Sequence, residues 1–192
     1  MIVENNINLY AYYAIEDARF TPSNSWYFNY DTNNIINLTK DYKEILEEEK
    51  ITIPKEAHSI GDFKGLIKVK EIYFEENSQC TKIEDKAFDN TNEASGVDIV
   101  LTNDNIQLMG IYLPDSIVNI GKYAFSGLTK LQYIDLNKMG TMPKNLKTIG
   151  DRSFFGDGEL MLKEFPEGLV TIGNRAFLKN KKIAFKKLPS SL

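Results

Sequence analysis

Cysteine and histidine are almost missing from this 192-residue sequence, which has one of each, Cys80 and His58. A single cysteine can form neither an internal disulfide nor a multi-cysteine metal site, so folding does not require an oxidising compartment. A single histidine, with no nucleophile or orienting carboxylate indicated near it, gives no basis for a catalytic triad. No apolar run approaches the roughly 20 residues that a membrane-spanning helix needs. The start, Met1-Ile2-Val3-Glu4-Asn5-Asn6, lacks the basic opening and unbroken apolar stretch of a secretory signal. Read as a complete product, the chain is expected inside the cell; read as a piece of a longer precursor, at the cell surface or secreted. An excess of one charge is missing too. The 23 Lys and Arg against 27 Asp and Glu, net −4, give no broad electrostatic surface for nucleic acid or anionic lipid. No P-loop, dinucleotide fingerprint, zinc spacing or calcium loop occurs. No cofactor, no metal and no catalytic residue is therefore expected.

What is present is a repeat. Asn119-Ile-Gly-Lys-Tyr-Ala-Phe125, Thr148-Ile-Gly-Asp-Arg-Ser-Phe154 and Thr171-Ile-Gly-Asn-Arg-Ala-Phe177 share Ile-Gly-x-x-(Ala/Ser)-Phe, and Lys82-Ile-Glu-Asp-Lys-Ala-Phe88 departs from it only at the glycine. Pro54, Pro114, Pro143 and Pro166 each precede Ile60, Ile120, Ile149 and Ile172 by six residues, with Ala57, Ile117, Leu146 and Leu169 halfway between. Cys80 holds that midway place before Ile83, which marks it as a buried structural thiol rather than a reactive one. Leu131, Ile134 and Leu136 follow Phe125 at the offsets at which Val69, Ile72 and Phe74 follow Phe63. The unit is Leu-x-x-Ile-x-Leu-Pro-x-x-Leu-x-x-Ile-Gly-x-x-Ala-Phe.

The isoleucine anchors at 60, 83, 120, 149 and 172 are separated by 23, 37, 29 and 23 residues, so 23 is the base period. The longer steps hold insertions at Asp89 to Met109 and Asn137 to Met142, polar stretches that read as loops leaving the stack. One such coil cannot bury its own apolar residues; stacking buries them against the coils above and below. The Leu-x-x-Ile-x-Leu segments are expected to pair as parallel strands, each followed by a proline that cannot donate to the ladder. The glycine after each isoleucine is expected to take positive φ where the coil turns. Each phenylalanine fills the coil interior, at roughly 2 to 3 kcal/mol of burial.

A proline, a glycine and a phenylalanine recurring in phase resemble the BspA-like class of leucine-rich repeat, the LRR_5 type, over about Ile51 to Leu192. Met139 stands where ordinary leucine-rich repeats carry an Asn or Cys three residues beyond the strand leucine. The resemblance implies a leucine-rich-repeat solenoid, a right-handed coil with a parallel β-sheet on one face and short turns or helical turns on the other. It also implies interaction or adhesion modules, commonly in surface or secreted proteins of host-associated bacteria and protists.

Residues 1–50 lack the repeat and are expected to form an α+β N-terminal cap on residues 51–192, which hold about five coils. Ile7 to Ile15 alternates as a half-buried strand does, and Ser25 to Tyr30 is a second strand candidate after Thr21-Pro-Ser-Asn24. A short helix with a capping box is expected from Asp41, with Glu44 three residues on. At the other end, Leu188-Pro189-Ser190-Ser191-Leu192 opens a fresh unit without a recognisable cap, which admits end-to-end self-association. Lys179, Lys181, Lys182, Lys186 and Lys187 crowd that coil, as charges that protect an open edge do.

Function is therefore expected from a surface that binds a protein partner, on the concave sheet face and the insertion loops. The outward strand positions are Lys70, Glu71 and Tyr73, then Gln132, Tyr133 and Asp135, then Lys163, Glu164, Lys186 and Lys187. Tyrosine on an exposed sheet is a common binding anchor. Asp98 and Asp135 could share one face as paired carboxylates do in glycosidases, but acidic residues populate any solvated face. His58, beside inward Ala57, is expected to face solvent. The alternative to a binding module is a structural or adhesin-type repeat segment that self-associates through its C-terminal end.

Overall fold

The computed structural model describes residues 26–29, 34–38, 49–53, 55, 57–61, 68–92, 99–100 and 106–192. The expected strand at Ile7 to Ile15 and the helix from Asp41 lie outside them. Among the described residues there are twelve short strands and no helix. They are β1 (Trp26–Asn29), β2 (Asn34–Leu38), β3 (Lys50–Ile53), β4 (Ser59–Ile60), β5 (Glu71–Phe74) and β6 (Lys82–Ile83). There follow β7 (Thr91–Asn92), β8 (Ile99–Val100), β9 (Gly110–Ile111), β10 (Asn119–Ile120), β11 (Thr148–Ile149) and β12 (Thr171–Ile172).

The coils stack through two parallel sheets rather than one. The Leu-x-x-Ile-x-Leu segments form the shorter sheet, β3-β5-β9, in which Ile51, Ile72 and Ile111 are in register. A lone bridge between Gly110 and Tyr133 extends it by one coil. The longer sheet runs β1-β2-β4-β6-β10-β11-β12 and is built from the Ile-Gly steps. Ile35, Ile60, Ile83, Ile120, Ile149 and Ile172 stand in one column along it. Its ladder bonds repeat from coil to coil: the N–H groups of Glu84, Gly121, Gly150 and Gly173 donate to the carbonyls of Ile60, Ile83, Ile120 and Ile149 at 2.7 to 2.8 Å. The expected strand at Ser25 to Tyr30 is β1, and its antiparallel partner is β2. Within the insertion after Phe88, β7 and β8 pair antiparallel.

Each column named in the sequence becomes a row of core contacts. Ala57, Cys80, Ile117, Leu146 and Leu169 are all 0% exposed. Burial pushes the Cys80 thiol up to about 12, so it is an inert packing group. Phe88, Phe125, Phe154 and Phe177 stack face to face, with ring centroids 5.1 to 5.4 Å apart and interplanar angles of 5° to 18°. That spacing is close to the roughly 4.8 Å strand separation of a parallel stack, so one ring per coil is continuous with the backbone ladder. His58 is exposed, with its Nε2 3.1 Å from Gln79 Oε1.

Three expectations are corrected by the packing. Gly61, Gly121, Gly150 and Gly173 do not adopt positive φ; that conformation belongs to Tyr123, Arg152 and Arg175, two residues beyond the last three glycines, and to Lys86, two beyond Glu84, with φ of 52° to 59°. The glycines are there for closeness. A Cβ on Gly121 would lie 2.6 Å from the Asp85 backbone nitrogen, and one on Gly173 would lie 2.3 Å from that of Asp151. Where coils approach this tightly no side chain fits. The face expected to hold only turns carries the longer sheet. Finally, Leu136 is 65% exposed and Met142 is 7% exposed, so Met142 takes the inward place before Pro143 and the looped-out stretch is 136–141.

Candidate functional site

The outer side of the shorter sheet brings four side chains into one bonded cluster. Parallel register sets Glu71 between Lys50 and Gly110, and sets Tyr73 beside Thr52. Tyr112 lies one residue beyond β9. Its phenol lies across Gly110, where a Cβ would fall 2.8 Å from the Tyr112 hydroxyl oxygen. That hydroxyl donates to Glu71 Oε1 at 2.7 Å, Tyr73 donates to Glu71 Oε2 at 3.1 Å, and Lys50 Nζ pairs with Oε2 at 2.9 Å. The Tyr112 hydrogen bond, then that from Lys50, holds the Glu71 carboxyl down to about 2. Burial, then donation to that carboxylate, pushes the Tyr112 phenol above its ordinary range. The two rings meet at 4.7 Å with a 43° tilt. A carboxylate bound by three donors is a poor proton acceptor, so this is a rigid polar-aromatic surface.

The remaining predicted residues divide. Lys70 pairs with Glu49. Gln132 and Tyr133 are half-buried in the next coil, and Lys138 Nζ lies 5.1 Å from the Tyr133 ring centroid. Asp135 organises the backbone: its carboxylate accepts the N–H groups of Met139, Gly140 and Thr141 at 2.8, 2.9 and 3.2 Å. The inserted turn 136–141 is thereby tied to the coil it leaves. Gly140 then continues the stack, because its carbonyl accepts the N–H groups of both Lys163 and Glu164.

Lys163, Glu164, Lys186 and Lys187 form a separate group at the last coils. With Phe165, Glu167 and Pro189 they surround a hollow of about 390 Å³. Lys187 pairs with Glu167 at 2.5 Å and holds that carboxyl below its ordinary range. Of the other lysines in this region, Lys182 pairs with Glu159 and Lys179 lies 4.9 Å from the Phe155 ring centroid.

Tyr112 and Lys50 are the members of the first cluster that strand alternation alone did not find. The signal for Tyr112 was the dipeptide Ile-Tyr at Ile72-Tyr73 and Ile111-Tyr112, obscured by the insertion between the two copies. Among the described residues, no group of three or more His, Cys, Asp or Glu is placed to hold a metal ion. No helix among them is long and apolar enough to cross a membrane.

The model of the BspA type leucine rich repeat region matches six copies over residues 40–109 and 102–192. No curated protein matches the chain. Among solved structures it is similar to the pneumococcal vaccine antigen PcpA, at 24% identity and TM-score 0.48, over 83% of this chain and 32% of that one. A leucine-rich repeat protein from Bacteroides ovatus is 22% identical at TM-score 0.43, over 77% of this chain and 39% of that one. The leucine-rich repeat protein of T. pallidum is 16% identical at TM-score 0.46, with 86% and 80% covered. The chain thus spans 32% and 39% of the length of the first two. With in-phase Pro, Ile and Phe columns stacked into parallel sheets, and six matching copies across residues 40–192, the chain belongs to the BspA-type leucine-rich-repeat family.

Proposed function

We propose that this chain is a non-catalytic protein-binding module that engages its partner through the outer side of the shorter sheet, at Lys70, Glu71, Tyr73, Gln132, Tyr133 and Asp135, and through the adjoining insertion loops. The observation that carries this reading is the Tyr73–Tyr112 pair fixed on Glu71. The Tyr73 ring is half-exposed and rests on the buried Tyr112 ring; a ring held by hydrogen bonds loses little conformational freedom when a partner covers it, and aromatic anchors of this kind dominate binding energy. Repeat scaffolds carry such surfaces on coils whose spacing is set elsewhere, by the core columns. In pull-downs with the wild-type chain as bait, a variant carrying Tyr73→Ala and Tyr133→Ala together should lose the captured partner while keeping the wild-type circular dichroism spectrum. Retention of the partner by that folded variant would overturn this choice of face.

A second reading, self-association through the last coils, is favoured by where apolar surface lies. Val170, Leu178, Leu188 and Leu192 are 55%, 46%, 63% and 48% exposed. Phe165, Phe177 and Phe185 pack on one another beside them and are only partly buried. A second copy covering this end would bury both sets. Sedimentation velocity should then show a concentration-dependent dimer that Leu188→Lys abolishes. A monomer at all concentrations would remove this reading.

A further inference from the structure

The Tyr73–Tyr112 pair is one wall of a hollow of about 360 Å³ that opens between β5 and the Leu113-Pro114 turn. Leu113 and Leu136 supply further apolar wall, and Leu136 is 65% exposed at its mouth. Three carboxylates, Glu75, Glu76 and Asp115, stand among the lining residues, and no basic side chain does among the described residues. Glu75 also accepts the Lys55 backbone N–H at 3.0 Å, and Asp115 pairs with Lys144 at 2.9 Å. These bonds hold two of the carboxylates in place, and Glu76 is exposed. Behind the hollow both tyrosine hydroxyls donate to Glu71, whose carboxylate also pairs with Lys50. A phenol that donates to a carboxylate has a more electron-rich ring, which strengthens its attraction for a cation at its face. The hollow beside Lys163 and Lys187, by contrast, mixes both signs and selects for neither.

We propose that this hollow receives an arginine side chain from an extended segment of a protein partner, with the guanidinium over the Tyr73 ring, which the buried Tyr112 ring backs, and facing the Glu75, Glu76 and Asp115 carboxylates, while an apolar neighbour in the same segment covers Leu136. Arginine suits the place better than lysine. Its planar group stacks on aromatic faces and presents several donors in a fixed fork, and it is less strongly hydrated than an ammonium. The volume lies within the range of small-molecule sites, about 300 to 1,000 Å³, and so has room for the side chain and ordered water. The inference rests on the reading of this sheet face as the partner-binding surface.

The test is a ¹⁵N-HSQC titration of the full chain with the hexapeptide Ser-Ala-Arg-Leu-Ala-Ser, blocked at both ends. Saturable shifts are expected at Tyr73, Tyr112, Ser116 and Leu136, with dissociation in the range of about 1 mM or tighter. Lysine in place of arginine should weaken binding about tenfold, and citrulline, isosteric but uncharged, should remove it. Glu76→Lys and Leu136→Ser, both at exposed positions, should each weaken binding at least tenfold with no change in melting temperature, whereas Glu164→Lys at the far hollow should leave it unchanged. Equal binding of the citrulline peptide, indifference to Glu76→Lys, or absence of shifts at several millimolar peptide would overturn the proposal. So would spermine binding as tightly as the peptide, which would identify a general small-cation site. The two readings fail separately: a captured partner lost with Tyr73→Ala and Tyr133→Ala but retained with Glu76→Lys and Leu136→Ser overturns the arginine pocket and leaves the binding face standing.

Discussion

Gly150→Ala is the most direct test of how the coils are held together. Gly150 has no positive φ to defend, so alanine there meets no conformational penalty and should gain about 0.4 to 1 kcal/mol by restricting the unfolded chain. Against this, the new Cβ would lie 2.6 Å from Gly121 C, 2.6 Å from Lys122 N and 2.8 Å from Gly121 O. All three are backbone atoms, and the Gly150 N–H to Ile120 carbonyl bond at 2.8 Å sits beside them. They cannot swing aside as a side chain does; relief requires the coils to separate and the ladder to stretch. Overpacking of this kind costs about 1 to 3 kcal/mol, more where backbone must move, so the clash outweighs the entropic gain. A net loss near 2 kcal/mol corresponds to a fall in melting temperature of about 4 to 8 °C for a domain of this size. Gly158→Ala is the matched control, since a Cβ there has nothing within 4 Å and its φ is not positive. It should melt at or slightly above the wild-type temperature. Thermal and urea unfolding followed by far-ultraviolet circular dichroism reads both variants. Equal stability of the two would show that the column glycines do not serve close approach of the coils.

Phe154→Ala should lose about 3 to 5 kcal/mol, and Phe177→Ala clearly less, because Phe154 is 0% exposed between two stacked rings while Phe177 is only partly buried; equal losses in urea unfolding would refute the stack as a continuous core. Asp157 is buried, and burial holds its carboxyl well above the ordinary value of 3.8. The folded state therefore holds that proton more tightly than the unfolded one, and the stability this contributes is complete below about pH 3.8 and is lost as pH rises toward the folded value. Asp157→Asn keeps an acceptor for the Leu128 N–H and removes the titration, so its stability relative to wild type should grow as pH rises above the ordinary value of 3.8; a constant difference would contradict the assignment. Glu71 behaves oppositely: its carboxyl lies at about 2 when folded against an ordinary 4.5, so its contribution is present above the ordinary value and is lost as pH falls toward about 2. Glu71→Gln should flatten the acid limb of the urea midpoint, and an unchanged limb would refute the cluster. Asp135→Ala should raise amide exchange at Met139, Gly140 and Thr141 at least tenfold by releasing the turn 136–141, with exchange at Ile120 and Ile149 as the unchanged reference.

Much of this fold is legible in the sequence because each coil spends the same residue type at the same place. The Pro-to-Ile interval of six residues is constant, so the Ala57-to-Leu169 column, the isoleucine column and the phenylalanine stack follow from counting. Glycine misled for a physical reason. The residue in left-handed conformation is Lys86, Tyr123, Arg152 or Arg175, ordinary side chains that tolerate that conformation at roughly 1 to 2 kcal/mol each. A Cβ at the neighbouring column position meets backbone at 2.3 to 2.6 Å in the last three coils, which no rotamer relieves. Glycine is thus spent where space is absent, and the bent conformation is left to residues that can bear it. Glu84 fits the same account: it stands opposite Gly61, whose Cβ would come 3.1 Å from that of Glu84, so one member of the pair can carry a side chain when the other does not.

Which half of the repeat carries the longer sheet was also written in the spacing, though composition pointed the other way. The Leu-x-x-Ile-x-Leu segments have the β-branched, alternating character of strands, whereas each Ile-Gly step contributes two strand residues. Yet both insertions fall after the phenylalanine and before the proline, in the half that holds the strand-like segment. The first leaves β9 in register with β5 but only two residues are paired there instead of four, and the shorter sheet ends at the single Gly110–Tyr133 bridge, just before the second. The Pro-to-Phe half never varies in length from Ile117 onward, so its ladder runs unbroken through β10, β11 and β12. Sheet length in a stacked repeat follows constancy of spacing more than strand propensity. The same insertions create what distinguishes the molecule: they leave the Tyr73–Tyr112 cluster facing a hollow at whose mouth stands Leu136, the residue that the second insertion turned outward. Regular coils supply the rigidity, and the departures from regularity supply the surface on which a partner can be selected.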